Sequence, residues 1–246
     1  MAADTNAAID EALRTKAPAR IAGMFDAIAG RYDLLNHVLS AGIDRYWRAR
    51  AIRSLRLTGR ETVLDLCTGT ADLALAARPR AGRVIGIDFA AAMLRVGHDK
   101  VARAAQASRQ APVTLVRGDA MSLPVAPASL DAVTIAFGIR NVADPSVAAR
   151  EIVRACRPGA RLAILEFGLP ASPLVRAIYL WYFRHILPRI GRLVSKHTAA
   201  YTYLPASVDA FPPPDEFCAL LRAAGFSEVR AEALTLGIAY LYTATV

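Results

Sequence analysis

Cysteine is scarce in this chain: Cys67, Cys156 and Cys218 stand far apart in 246 residues. An odd count without metal-ligand spacing predicts no disulfide framework and no bound metal, and suits a reducing compartment. Low-complexity runs and blocks of like charge are missing as well. With 54% apolar and 21% charged residues, the composition is that of a folded chain. The opening "MAADTNAAIDEALRTKAPAR" mixes Asp, Glu and Arg and lacks the apolar core of a secretory signal. Residues 1–20 therefore read as a flexible tail on a cytoplasmic protein. No uninterrupted apolar run reaches the length of a membrane span. The nearest, "LVRAIYLWYFRHILPRIGRLV" from Leu174 to Val194, is broken by Arg176, Arg184, His185, Pro188, Arg189 and Arg192. It can lie on a membrane but not cross one. With no repeat and no separating linker, residues 21–246 read as one domain with appended helices.

Negative charge is the other shortage. Thirty Lys and Arg face 21 Asp and Glu, a formal +9, which attracts nucleic acid, anionic lipid or an acidic cofactor. Nearly all of that charge is Arg in an Ala-rich sequence, a bias that composition alone can produce, so charge selects no partner.

What is present is an ordered alternation. Short β-branched or Leu-rich runs end in acidic or small residues: Thr62 to Cys67, Arg83 to Asp88, Val113 to Asp119, Asp131 to Phe137 and Ala160 to Phe167. Helical patterns fall between most of them, notably Ala90 to Ser108 and Pro145 to Cys156. This predicts an α/β, doubly wound, mostly parallel sheet whose ligands lie at the carboxyl ends of the strands. Two further strand-like runs, "SEVRAEAL" and "GIAYLYTATV", add a hairpin and bring the sheet to seven strands. Residues 21–58, with a helix over Asp44 to Leu55, form an N-terminal helical cap. Residues 171–214 form a helical insertion after the fifth strand, closed by "FPPPDEF" before a new helix near Asp215.

The turn in "VLDLCTGTADLAL" lacks the glycines of a dinucleotide fingerprint. Only Gly69 remains, between Thr68 and Thr70, and Ala71 stands where another glycine is expected. A pyrophosphate needs closer backbone approach than this allows. A nucleoside bearing an amino acid needs hydroxyls, backbone groups and acids instead. Asp65 ends the first strand. Asp88, about twenty residues beyond the turn, is placed either for ribose hydroxyls or as a helix N-cap, and Asp119 is placed for an adenine amine. Three acids at successive strand ends describe an S-adenosylmethionine site better than an NAD site.

At this point the sequence resembles the class I methyltransferases, and within them the C-methyltransferases of menaquinone and ubiquinone biosynthesis, from about Met24 to the C-terminus. "YDLLNHVLSAGIDRYW", Tyr32 to Trp47, is similar to the family's first signature in Tyr32, Asp33, Asn36, Leu39, Ser40 and Trp47. It departs at Leu35 and Asp44, where Met or Ile and His or Gln are usual. "RACRPGARLAILEFG" resembles the second signature through Arg154, Pro158, Gly159 and Glu166, with Ala155, Arg157, Ala160 and Gly168 differing. "VTIAFGIRNVADP" matches the F-G-[L/I]-R-N run after the fourth strand. Ala136 stands where some ubiquinone-pathway members carry Ser, and "CTGTAD" is closer to the turn of menaquinone-only members.

The resemblance implies methyl transfer from S-adenosylmethionine to the ring carbon of a polyprenylated quinol, with Thr70, Asp88, Asp119 and Ala120 contacting the cofactor. Asp65 and Gly69 belong to the same turn, and Met93 lines either the adenine wall or the core. Arg140 is the first choice for stabilising the phenolate or ordering a water, because a guanidinium stays charged. Tyr32 is the second, either over the site or packing the cap on the core. Asp33 orders that region, and Asn36, His37, Phe137 and Asn141 are the expected substrate contacts. Glu166 either faces the site or caps the next segment. Cys67 is expected to be an inert buried thiol. The Leu174 to Val194 segment, with Tyr179, Trp181, Tyr182 and Phe183 beside its arginines, suits either an anionic membrane surface or packing over the cofactor or against a second copy in a homodimer. An RNA methyltransferase is the reading of a different class. No RNA-binding module and no N-P-P-Y-type motif support it, so no nucleic-acid partner is expected.

Overall fold

The computed structural model describes residues 18–40, 42–107, 110–182 and 199–246. The expected tail therefore lies almost wholly outside the described residues, as do Phe183, Arg184, His185, Pro188, Arg189 and Arg192 of the insertion. Five strands alternate with helices in the first two thirds of the chain: β1 (Thr62–Leu66), β2 (Arg83–Asp88), β3 (Val113–Arg117), β4 (Leu130–Ala136) and β5 (Cys156–Phe167). All five are parallel. The hairpin of β6 (Ser227–Leu234) and β7 (Ala239–Thr245) joins antiparallel, with β7 against β5, to give the order β3-β2-β1-β4-β5-β7-β6. This is the seven-stranded, mostly parallel architecture anticipated.

The order of the strands decides where a ligand can sit. Successive strands run outward in opposite directions from the β1/β4 boundary, and a crevice opens there beyond the carboxyl ends. Strand β1 is central and both its faces are covered, so it reads as a nearly continuous apolar run. Val63, Leu64 and Leu66 are buried completely or almost so, and Asp65 is the single carboxylate among them. Helix α6 (Pro145–Ala155) shows the local logic of the connecting helices. Asp144 accepts hydrogen bonds from the amides of Ser146 and Val147, and Pro145 fills the first turn.

Strand ends differ slightly from the sequence reading. The third strand stops at Arg117, two residues short of Asp119, because the Asp119 carboxylate accepts the Met121 amide at 2.9 Å and starts a turn. The fifth begins at Cys156 rather than Ala160. Its pairing with β4 jumps from Cys156 to Arg161 across a bulge that contains Gly159 at φ +81°.

Helices lie across the carboxyl edge. Before β1 come α1 (Pro18–Ile28), α2 (Tyr32–Leu39) and α3 (Ile43–Ser54), and between β5 and the final helix α9 (Pro214–Ala223) come α7 (Pro173–Trp181) and α8 (Ala199–Asp209). The helices α4 (Asp72–Ala77) and α5 (Ala91–Ala107) complete the frame around β1 and β2. Helix α1 touches both regions. Asp26 accepts the Ala92 amide at the start of α5 at 2.7 Å, and Ile21 packs on Tyr203 of α8. Trp47, matched to the family signature, turns out to be a core pin: 2% exposed, it donates to the Thr235 hydroxyl at 2.9 Å and lies against Phe137 and Phe167.

Candidate active site

Three connected lobes, with free volumes of about 390, 370 and 290 Å³, form one groove at the β1/β4 crevice, and Cys67 lines all three. The first lobe is bounded by Asp88, Gly118 to Met121 and Asn141 to Ala143. The middle lobe is bounded by Phe25, Tyr32, Gly69, Met93, Phe137, Gly138 and Asn141. The third, the most polar, is bounded by Arg48, Asp65, Thr68 to Thr70, Asp72 and again Tyr32. Of the expected site residues, Asp65, Gly69, Thr70, Asp88, Met93, Asp119, Ala120, Tyr32, Phe137 and Asn141 all line it.

The backbone is contorted where the groove is built. Cys67, Gly69 and Ala71 alternate at φ +56°, +56° and +68°, and Phe137 on the opposing loop has φ +58°. Residues other than glycine in this region cost of order 1–3 kcal/mol each and persist where surroundings over-determine them. The glycine of the F-G-I-R-N run has a steric reason: a Cβ on Gly138 would stand 2.3 Å from the Cβ of Cys67. The two loops touch without a spacer.

Asp88 lines two of the lobes and also closes the turn ahead of α5. Its Oδ1 accepts the Ala90 amide ahead of α5, and its Oδ2 accepts the Gly69 amide, each at 2.8 Å. Burial nonetheless raises its pKa. Asp65 accepts from the hydroxyls of Thr68 at 2.6 Å and Thr134 at 2.9 Å, and burial pushes its pKa up to about 6. Cys67 is held far above the ordinary thiol range by burial and by Asp88, Asp65, Glu166 and Asp119, so it remains a thiol at neutral pH.

The N-terminal segment enters through ions and hydrogen bonds. Thr70 donates a short hydrogen bond to Asp33, and Lys100 of α5 reaches Asp33 at 2.8 Å, Thr70 at 3.3 Å and, more closely still, Asp72. Tyr32 stands edge-on to Phe25. Burial raises the pKa of its phenol against the opposing hydrogen bond to Asn36, so it stays protonated at neutral pH. His37 does not line the groove. Its Nδ1 lies 2.9 Å from Asp44, which also accepts from Ser40 at 2.9 Å. Burial would raise the Asp44 pKa, but His37, Ser40 and Arg48 together lower it. The departure from His or Gln at position 44 thus supplies an anion to His37.

Arg140 is where geometry and expectation part. It does not line the groove, and its guanidinium is engaged elsewhere. One terminal nitrogen donates to Glu166 at 2.7 Å and to the Phe137 carbonyl, and Nε reaches the Ser207 hydroxyl of α8 at 3.3 Å. Its backbone amide also donates to Glu166, at 3.2 Å. The cation lies 5.5 Å from the Phe167 ring centroid. Glu166, completely buried, is the anchor of the Phe137 to Asn141 loop, and Asn141 in turn accepts from Tyr203 at 3.1 Å. Arg48, Asp72, Lys100, Tyr203 and Ser207 belong to the site or its support and were not singled out from sequence. Lysine and arginine inside ordinary helical patterns carry no signal that distinguishes them from surface charge.

Comparison with known proteins adds four findings. Residues 13–246 match the model of the ubiE/COQ5 methyltransferase family. A protein of Syntrophotalea carbinolica named ubiquinone/menaquinone biosynthesis C-methyltransferase UbiE is 48% identical over 89% of this chain and 91% of its own length. A demethylmenaquinone methyltransferase of Deinococcus radiodurans is 47% identical over 89% of each. Among solved structures, the [4+2]-cyclase SpnF superposes with a TM-score of 0.66 at 19% identity, covering 92% of this chain and 94% of that one. That likeness concerns the fold alone: a cyclase can share this architecture, so the reaction must be argued from the site.

Proposed function

The chain belongs to the ubiE/COQ5 methyltransferase family, and on that footing we propose that it methylates the ring carbon of demethylmenaquinol with S-adenosylmethionine, the last step of menaquinone biosynthesis. The observation that carries this reading is the charge of the groove. Four carboxylates, of Asp65, Asp72, Asp88 and Asp119, line it with the guanidinium of Arg48, and even with Lys100 paired to Asp72 the anions outnumber the cations. Such a lining repels a pyrophosphate and favours a sulfonium cation. Asp88 would hold the ribose diol, Asp119 and the Ala120 amide the adenine, Met93 the adenine wall, and Asp65, Gly69 and Thr70 the amino-acid end.

When bound, the cofactor supplies an electrophilic methyl group on a positively charged sulfur. The protein's own residues align the acceptor. Phe137 and Asn141 face the middle lobe and would position the quinol ring, with Asn36 and His37 supporting the helix above. The Tyr32 phenol, kept protonated, donates to the oxygen that becomes phenolate as its proton leaves. With the cofactor bound, that developing phenolate would make the adjacent ring carbon nucleophilic towards the methyl group, and the phenol and ring protons would pass to water. Asp33 and Arg140 act as positioning residues, Asp33 through Thr70 and Lys100, Arg140 through Glu166 and the Phe137 to Asn141 loop. Alignment of this kind contributes about 7–11 kcal/mol in favourable systems.

A quinol with a polyprenyl tail stays in the bilayer, so the enzyme must meet a membrane surface. No helix among the described residues is long and apolar enough to cross one. On α7, however, Leu174, Ile178 and Trp181 recur at helical spacing and are 71%, 60% and 56% exposed. An apolar stripe of this kind supports peripheral contact. A benzoquinol acceptor is the second reading, favoured by the name of the Syntrophotalea relative. Ala136, which lines the middle and third lobes without a hydroxyl, favours the naphthoquinol.

Methyl transfer from radiolabelled S-adenosylmethionine to reduced demethylmenaquinol and to the corresponding benzoquinol, both in anionic vesicles, tests the assignment. Label is expected in the naphthoquinol, and Arg140→Ala is expected to lower kcat about 10²-fold with little change in cofactor affinity. Label in the benzoquinol alone would replace the naphthoquinol reading. Label in neither, with cofactor bound, would overturn the quinol assignment.

A further inference from the structure

We infer that Arg48 is the receptor for the cofactor's carboxylate, and that it makes the groove selective for a nucleoside carrying an intact amino acid. The inference rests on the proposed use of S-adenosylmethionine and extends it to a residue for which neither family motif nor strand-end position gave a role.

Arg48 stands on α3 and lines the polar lobe with Asp65, Thr68 and Thr70. Its side chain is only 11% exposed, yet its Nε has no hydrogen-bond partner. The contacts it makes are long: 3.5 Å from Nε to Asp44, 4.0 Å from a terminal nitrogen to Asp72, and 5.9 Å to the Phe137 ring centroid. Each carboxylate within reach has closer partners. Asp44 is held by His37 and Ser40, Asp72 by Lys100, and Asp65 by Thr68 and Thr134. A guanidinium so little exposed, with its Nε buried and unbonded, is costly unless an acceptor completes it. The planar fork matches one acceptor best, a carboxylate bound through two oxygens.

The same lobe supplies the opposite charge. Asp65 and Asp72 are the carboxylates that line it; Asp72 is paired with Lys100, and the Arg48 charge is felt at Asp65. An α-amino acid presents ammonium and carboxylate on one carbon, so a single ligand end answers both residues. Lysine 100 is not an equivalent receptor, because it is already engaged by Asp33, Asp72 and Thr70.

Calorimetric titration with two nucleosides tests this. S-adenosylhomocysteine retains the amino acid, and 5′-methylthioadenosine lacks it. Arg48→Met is expected to weaken the first about 10–100-fold and to leave the second within twofold, whereas Arg48→Lys should fall between. Asp44→Asn, which removes the nearest protein anion, should preserve the wild-type preference. An equal loss for both nucleosides in Arg48→Met, at an unchanged circular dichroism spectrum, would overturn the receptor role, as would loss of the preference in Asp44→Asn. Should Arg48→Met fail to fold, the Arg48→Lys and Asp44→Asn ratios decide the matter. Failure of the wild type to bind either nucleoside would instead sink the cofactor assignment beneath it.

Discussion

Strand β1 and helix α1 belong to one protein but are fixed by different means. Around β1, Val63, Leu64 and Leu66 join two large apolar clusters that run through both faces of the sheet. Above the groove, the buried apolar contact between α1 and α8 among the described residues is small: Ile21 against Tyr203, with Met24, Phe25 and Phe89 around them. A second apolar patch packs Phe25, Ala29 and Tyr32 on Ala90 and on Met93 and Val96 of α5. Polar ties accompany both patches. Lys100 and Thr70 hold Asp33, the start of α5 holds Asp26, Arg140 holds Ser207, and Asn141 holds Tyr203. Apolar burial of about 1.5–3 kcal/mol per large side chain makes the frame a single cooperative unit. Hydrogen bonds and partly exposed ion pairs, each worth about 1 kcal/mol, hold the helices above the groove, its lid, more weakly than burial holds the frame.

The largest blow to this contrast would fall where frame and lid share one polar tie. Glu166 is wholly buried at the end of β5, and Arg140 reaches from it to Ser207 on the lid. Replacing one partner strands the other charge in a low-dielectric site, at a cost of about 3–5 kcal/mol. Glu166→Gln is therefore expected to lower the midpoint of thermal unfolding by roughly 10 °C and to reduce methyl transfer as the Phe137 to Asn141 loop loosens. A midpoint shift of a degree or two would mean that the frame does not depend on this pair.

Asp65 sharpens the contrast from the opposite side, as a polar burden inside the apolar frame. Its folded pKa of about 6 lies above the unfolded value of about 3.9, so the folded protein binds the proton first. Protonation stabilises the fold as pH falls from roughly 6 towards 4, and at neutral pH the buried charge is a cost. Asp65→Asn is expected to raise stability at pH 7.5 by up to about 2–3 kcal/mol, with the gain fading below pH 6, while cofactor binding weakens. Urea melts at pH 7.5 and pH 5 check it. Equal effects at both pH values would show that Asp65 ionisation is not coupled to folding.

How much of this was legible in the sequence follows the same division. The frame announced itself because a parallel strand buried on both faces must be an apolar run, and ligand groups must sit at its end. Asp65, Asp88, Asp119 and Phe137, which line the groove, were named that way. Tyr32, Asp33 and Asn36 of the lid were named only through resemblance. Arg48 and Lys100 stayed hidden because each acts across helices far apart in the chain, and nothing local separates them from surface cations. The orientation of Arg140 was hidden for the same reason. Sequence placed it correctly after β4, but whether a guanidinium faces a groove or turns towards Glu166 is settled by packing between strands.

Lys100 gives the smallest effect and the most selective one. Its ammonium joins three elements: Asp33 on α2, Thr70 in the turn after β1, and Asp72 on α4. The side chain is 17% exposed and its carboxylate partners 29% and 21%, so water screens part of the attraction and the pairs contribute about 1 kcal/mol or less to global stability. Lys100→Met keeps the aliphatic stem and removes only the charge. Frame stability should barely move, whereas the amides of α2, Tyr32–Leu39, should exchange with solvent about fivefold faster. Methyl transfer should fall severalfold, because Tyr32 is carried on the helix that Asp33 anchors. Hydrogen exchange read separately over α2 and β1 distinguishes the outcomes. Faster exchange in both would mean that lid and frame open together, and unchanged exchange in α2 would mean that apolar contact at Ile21 and Phe25 holds the lid without its charges.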